Sequence, residues 1–204
     1  MSRLVTCLLM ILGLAACSTA PTRLNDVKEG HWKARALIKD KDQSRSYIVN
    51  LNMNAVRDQN VRMDVTSALG TGVAILTADQ KEVRYLLFDS KRLYYGPPQA
   101  DVMRPILSLP LDPRWLHNIL FDQTFGGKIW ACDMEGGFLK ECRNDALKLK
   151  IGWANRQGDK KTILIEHPKA SVQINVLAFK SKVEDRKNLF VLEAPAGYQK
   201  LKVR

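Results

Sequence analysis

Residues 32–39, WKARALIK, carry the pattern on which the fold turns: Trp32, Ala34, Ala36 and Ile38 fall on one face, and Lys33, Arg35 and Lys39 on the other. A period of two is the mark of a strand with one side buried and one side in water. The next stretch repeats it, with Tyr47, Val49, Leu51 and Met53 set against Ser46, Asn50 and Asn52. Val61, Met63 and Val65 alternate with Arg62, Asp64 and Thr66, and Val73, Ile75 and Thr77 follow. Residues 83–88 and 91–95 continue the series across a turn at Asp89-Ser90. Later in the chain Leu147, Leu149, Ile151 and Trp153 alternate with Lys148 and Lys150, then come 161–166, then Val172, Ile174 and Val176 against Gln173 and Asn175. A polar break over 180–188 precedes apolar runs at Phe190–Leu192 and around Tyr198, Leu201 and Val203. About eleven strands are expected, in a mainly β, antiparallel sheet that curls around its apolar face.

Between the two β halves the period changes. Val102, Met103, Ile106 and Leu107 recur at helical spacing, with Pro105 interrupting one smooth helix. Asp112 is placed to cap a second helix with Pro113 at its first position, and Trp115, Leu116, Ile119 and Leu120 form its apolar stripe. Gly126-Gly127 ends this helical insertion, which is expected to lie over the sheet as a lid.

The composition fits one globular domain: 204 residues, 46% hydrophobic and 26% charged, with no repeat and no long linker. Thirty-two Lys and Arg against 21 Asp and Glu give +11, a balance that favours an acidic partner, anionic head groups or nucleic acid. Nucleic acid is not expected, because the basic residues alternate along strands and do not cluster with aromatic side chains. Hydrolase and metalloprotease motifs are missing, and Gly70-Thr71-Gly72 lacks the third glycine of a phosphate loop. The nearest acid–base pair, Asp112 and His117, reads as a helix cap and a solvated helix residue. Neither an enzyme nor a cofactor is expected.

The first residues, MSRLVTCLLMILGLAACSTA, place Arg3 before an apolar run too short to cross a bilayer, which reads as a secretory signal over 1–16. Leu14-Ala15-Ala16-Cys17 resembles the lipobox of bacterial lipoproteins. That resemblance implies acylation of Cys17, and Ser18 in place of Asp implies retention at the outer membrane, facing the periplasm. Residues 17–26 then read as a lipidated tether, and 27–204 as a single domain. Outside the cytosol Cys132 and Cys142 are expected to form a disulfide, closing a loop of about eleven residues around Gly136-Gly137 and contributing roughly 2–3 kcal/mol. His31, His117 and His167 show no metal spacing, so no metal site is expected.

Three segments resemble a known family. Residues 62–73, RMDVTSALGTGV, are similar to the strand, protruding loop and strand of the LolB-type outer-membrane lipoprotein receptors of the LolA/LolB superfamily. Residues 93–120 are similar to that family's helical insertion, with Leu109-Pro110-Leu111 and Trp115 in place, and residues 190–197, FVLEAPAG, are similar to the ending of its soluble carriers. Ala68 stands where the family commonly has Pro, and the cysteine hairpin is not part of its pattern. The resemblance implies a LolA/LolB-like, incomplete (half-open) β-barrel with a helical lid, enclosing an apolar cavity for acyl chains. Its wall would be Trp32, Ile38, Tyr47, Val49, Leu51, Met53, Val61, Met63, Val65, Val73, Ile75, Leu149, Ile151, Trp153, Val172 and Ile174, and its lid Met103, Ile106, Leu107, Trp115, Leu116 and Ile119. Alternation by itself does not separate a cavity from a packed core. The implied partners are acylated lipoproteins, a LolA-like periplasmic carrier and the inner leaflet of the outer membrane, met by a monomer. Leu69, an apolar residue at a loop tip, is implied to enter the bilayer, with a leucine folded back on the sheet as the alternative. A packed interior would favour a different reading, an envelope lipoprotein of the same fold that binds another lipid, glycolipid or protein complex without transfer.

Overall fold

The computed structural model describes residues 19–103 and 108–203; the signal segment, Cys17, Ile106 and Leu107 lie outside the described residues. Twelve strands form one open sheet. They are β1 (Glu29–Asp40), β2 (Arg45–Val56), β3 (Asn60–Ser67), β4 (Gly72–Ala78), β5 (Val83–Leu87), β6 (Arg92–Gly96), β7 (Ala131–Glu135), β8 (Phe138–Asn144), β9 (Leu149–Gln157), β10 (Lys160–His167), β11 (Ala170–Lys180) and β12 (Gln199–Lys202). The order across the sheet is β12-β6-β5-β4-β3-β2-β1-β11-β10-β9-β8-β7, so β12 and β7 are its two edges. The architecture is mainly β and half-open, as expected, with one strand more than counted from the sequence. The last strand, β12, built from the apolar run around Leu201, runs parallel to β6 while all other neighbours are antiparallel. At this junction a Cβ on Gly96 would lie 2.6 Å from the Val203 carbonyl oxygen, so close approach of the two backbones requires glycine.

The alternation in β1 and β2 is carried into the structure: Trp32, Ala34, Ala36, Val49, Leu51 and Met53 are buried on the concave face, and Lys33, Arg35 and Lys39 are exposed on the convex one. In β4 the faces are the reverse of those read from the sequence. Val61, Met63 and Val65 pair with Ala78, Leu76 and Ala74, so Ala74, Leu76 and Ala78 point inward with them. Val73 is 41% exposed and Ile75 packs on the other face, in a small second cluster around Leu86, Leu93 and Leu192. The cause is the C-terminal segment. Residues 181–198 contain only one helical turn, at Arg186–Leu189, and cross the convex side of β3–β6 as a strap, held where Arg62 and Arg84 donate to the carbonyls of Leu189 and Leu192. The apolar run Phe190–Leu192 belongs to this strap.

The insertion covers the concave face. Among the described residues it contains a 3-10 turn at Ala100–Met103 and a short helix, α1 (Trp115–Leu120). Pro113 precedes the helix, and Asp112 Oδ1 accepts from the Arg114 amide in the turn that leads into it. His117, expected in solvent, is buried under the lid because Leu116, Ile119 and Leu120 turn the whole short helix into the core. Residues 19–26, expected as part of a free tether, are docked instead. Thr22 N donates to Gly158 O, Gly158 N to Thr19 O, and Leu24 is buried in the main core. Cys132 and Cys142, directly opposite across the β7–β8 hairpin, are joined by a disulfide, with Gly136 and Gly137 at positive φ in the turn.

Candidate functional site: the concave face, its lid and the Leu69 tip

The concave face is apolar because each of its strands contributes its inward set. Trp32, Val49, Leu51, Met53, Val61, Leu149, Ile151, Trp153, Val172 and Ile174 are buried there. Met63 and Val65 are partly buried against the same cluster. Ile38 and Tyr47 pair at one end, where the cover thins, and Tyr47 is 48% exposed. Of the residues read as wall, the structure brings all but Val73 and Ile75 to this face.

The lid fills the concavity. Val102, Met103, Leu109, Leu111, Leu116, Ile119, Leu120 and Phe121 are buried against the sheet. Phe121 meets Trp32 edge-on at 5.1 Å between centroids, and Trp115, Phe125 and Trp130 form an aromatic group beside it, with Phe125 stacked on Trp130 at 4.2 Å. What remains open at the lid's root is a crevice of about 10 Å³ bordered by Leu24, Trp32, Asp122, Arg156 and Lys161, room for roughly one water.

That root is held by polar groups that pattern reading missed. Trp153 Nε1 donates to the Ile119 carbonyl at 3.1 Å, and Lys161 Nζ to the Leu120 carbonyl at 3.0 Å. The Asp122 carboxylate binds Lys161 on one oxygen and Arg156 on the other, each at 2.5 Å, with all three side chains at most 12% exposed. Burial pushes the Lys161 ammonium below its ordinary range, against the pull of Asp122. The sequence held one sign of this: Lys161 occupies an inward position in line with Ile163 and Ile165, where a cation needs a buried partner. At the far side of the lid Ser108 Oγ donates to Asp40 Oδ2 at 2.9 Å. The Gln43 amide holds the same carboxyl below its usual range.

Asp112 and His117 form no catalytic pair. The Asp112 carboxylate is engaged by the Arg114 guanidinium, and burial lowers the imidazole of His117, whose Nδ1 has no hydrogen-bond partner. Among the described residues no group of three or more His, Cys, Asp or Glu side chains stands together as a metal site would require.

Leu69 stands alone at the β3–β4 tip, 95% exposed and not folded back on the sheet. The turn beneath it is closed by Ser67, whose amide donates to Thr71 O, whose carbonyl accepts from Gly70 N and whose Oγ accepts from Thr71 N. Gly70 takes φ 87°, the left-handed conformation that lets the chain reverse directly under the leucine.

No protein-family model matches the chain, and no curated protein matches it. Several solved structures are similar. An uncharacterized conserved protein from Thermus thermophilus has 10% identity and a TM-score of 0.42 over 88% of this chain and 93% of that one. A LolA superfamily protein from Nitrosomonas europaea has 6% identity and a TM-score of 0.49 over 80% and 90% of the two chains. A domain named for outer membrane lipoprotein sorting, from Vibrio parahaemolyticus, has 10% identity and a TM-score of 0.49 over 81% and 90%.

Proposed function

We propose that this chain is a lipid-anchored envelope protein that binds the acyl chains of lipidated proteins against its concave face. It would accept them from a LolA-like periplasmic carrier and release them into the inner leaflet of the outer membrane. The observation that carries the reading is Leu69, a fully presented apolar side chain on a closed, uncharged tip, in the loop whose sequence resembles the protruding loop of LolB-type receptors. Burying one leucine is worth about 1.5–3 kcal/mol, enough to dip a loop into a bilayer and too little to anchor a protein. The anchor in this reading is the acylated Cys17, at about 0.8 kcal/mol per buried methylene.

The lid supplies the rest of the mechanism. An acyl chain entering the concavity takes the place of Met103, Leu116, Ile119 and their neighbours, so the apolar burial gained by the chain offsets the burial lost by the lid. The polar latch at Asp122, Arg156 and Lys161 keeps the lid seated when no chain is present. No covalent step is needed.

The test mixes the soluble form, residues 18–204, with a carrier loaded with a triacylated lipoprotein. Native mass spectrometry follows which protein holds the cargo, and vesicles then receive it. Leu69→Glu is expected to fold and take up cargo normally but to fail in delivery; normal delivery by that variant would overturn the role of Leu69. A second reading, a non-transferring envelope protein of the same fold, is favoured by the filled concave face. Absence of any transfer from a competent carrier would select it.

A further inference from the structure

The docked N-terminal segment and the Leu69 tip lie at opposite ends of the sheet, and their separation has a functional consequence. Strand register measures it. Lys161 pairs with Val176, Val176 with Ala34, Ala34 with Leu51 and Leu51 with Val65, so Lys161 and Val65 share one row across the sheet. From that row the chain reaches Leu69 in one direction along the strands and Gly158 in the other. The two turns are about seven residues of strand apart, roughly 23 Å, before the offset of four strands is added. Thr19 is fixed at the Gly158 end by its backbone pairing there. The docking is reinforced by Thr22 Oγ1 donating to Asp159 at 2.7 Å, by burial of Leu24, and by Arg57 donating to the carbonyls of Leu24 and Val27. Arg57 also sits over the Phe121 ring at 4.7 Å, which ties the segment to the root of the lid.

Cys17 is two residues from Thr19, so covalent geometry keeps it within about 7 Å of that end. The convex flank between the two ends presents Lys33, Arg35 and Lys39, a surface that does not enter an apolar phase. We infer that, while residues 19–28 are docked, the Leu69 tip faces away from the bilayer that holds Cys17 and meets acyl chains or lipid presented from the aqueous side. Contact of Leu69 with its own anchoring bilayer then requires the body to be freed from its short tether. This inference rests on the acylation of Cys17 put forward above.

Leu69→Cys offers a single reactive thiol, since Cys132 and Cys142 are bonded to each other and Cys17 carries lipid. The acylated protein bearing a fluorophore there is reconstituted into phosphatidylethanolamine–phosphatidylglycerol vesicles, with spin-labelled quencher lipid either in those vesicles or in added protein-free ones. A second version carries a flexible insertion of about 20 Gly and Ser residues between residues 18 and 19, which adds a reach of roughly 25 Å without disturbing the docked segment. The native tether is expected to give quenching only by the added vesicles, and the long tether quenching by both. Quenching by the anchoring vesicles with the native tether overturns the inference. Lack of quenching in every form, including the lipid-free chain mixed with quencher vesicles, overturns the bilayer role of Leu69 and the inference with it; the lipid-free chain separates the two failures.

Discussion

The lid and the C-terminal strap cover opposite faces of the same sheet, and they are held by different physics. The lid drives a broad apolar surface, from Val102 to Phe125, into the concave face, then locks its end with the buried Asp122–Arg156–Lys161 group. The strap covers the convex side of β3–β6 through the few side chains around Leu192, and its polar ties are Arg62 and Arg84 donating to main-chain carbonyls, the Val183 amide donating to Glu29 and Arg186 donating to Gln59. Beside it lies an outer groove of about 240 Å³ bordered by Thr77, Arg84 and Val191, against a crevice of about 10 Å³ at the root of the lid. The deep cover depends on charges that fail together if one is lost, whereas the shallow cover depends on a small contact area. Failure of the first exposes the concave face; failure of the second exposes one corner of the sheet.

The contrast can be broken most sharply at Asp122. Asp122→Ala leaves Lys161 and Arg156 buried without their counter-ion, and the expected loss is about 3–5 kcal/mol in denaturant unfolding. Increased binding of an apolar dye to the still-folded fraction is expected as the lid loosens. A loss below about 1 kcal/mol would mean that apolar packing alone seats the lid. On the other face, Leu192→Ala should cost about 2 kcal/mol, the lower end of the range for a buried leucine, because the small cluster can close around the gap. Its concave face should still exclude the dye. The smallest effect concerns pH. Burial holds the His117 imidazole below its ordinary range, so the folded state binds its proton less readily than the unfolded one. The stability this contributes is present above about pH 6.5 and is lost as pH falls through the lowered value. Melting curves from about pH 7.5 to 5 should show a decline that His117→Gln reduces, and an unchanged slope in that variant would remove His117 as its source.

The same two covers explain where pattern reading succeeded. In β1, β2 and β11 the convex face meets water, so inward and outward residues differ in polarity and their faces follow from period two. In β4 the strap makes the outer face apolar as well. Val73, Ala74, Ile75 and Leu76 then form an unbroken apolar run, and no alternation remains to tell one face from the other. The strap's own run, Phe190–Leu192, carries no sign of its place for the same reason: apolar residues that cover a sheet resemble apolar residues within one.

Of the candidate site, most wall residues, the lid helix and the exposed tip were readable from local order, because each depends on neighbours within a few positions. Trp115 to Leu120 form their stripe at any lid position, and Leu69 next to Gly70 marks an apolar turn wherever the hairpin points. The latch was not readable, since Asp122, Arg156 and Lys161 are up to 39 residues apart and become partners only when the lid lies down. Docking of residues 19–26 was equally hidden, because a short polar segment with one leucine looks like a tether until Gly158 and Arg57 supply its hydrogen bonds. Local periodicity and turn chemistry therefore dictated the strands, the lid and the tip. Which faces are covered, where the charges are buried and which end of the sheet carries residues 19–26 were decided by contacts between distant parts of the chain, which come into being only as the sheet closes around its core.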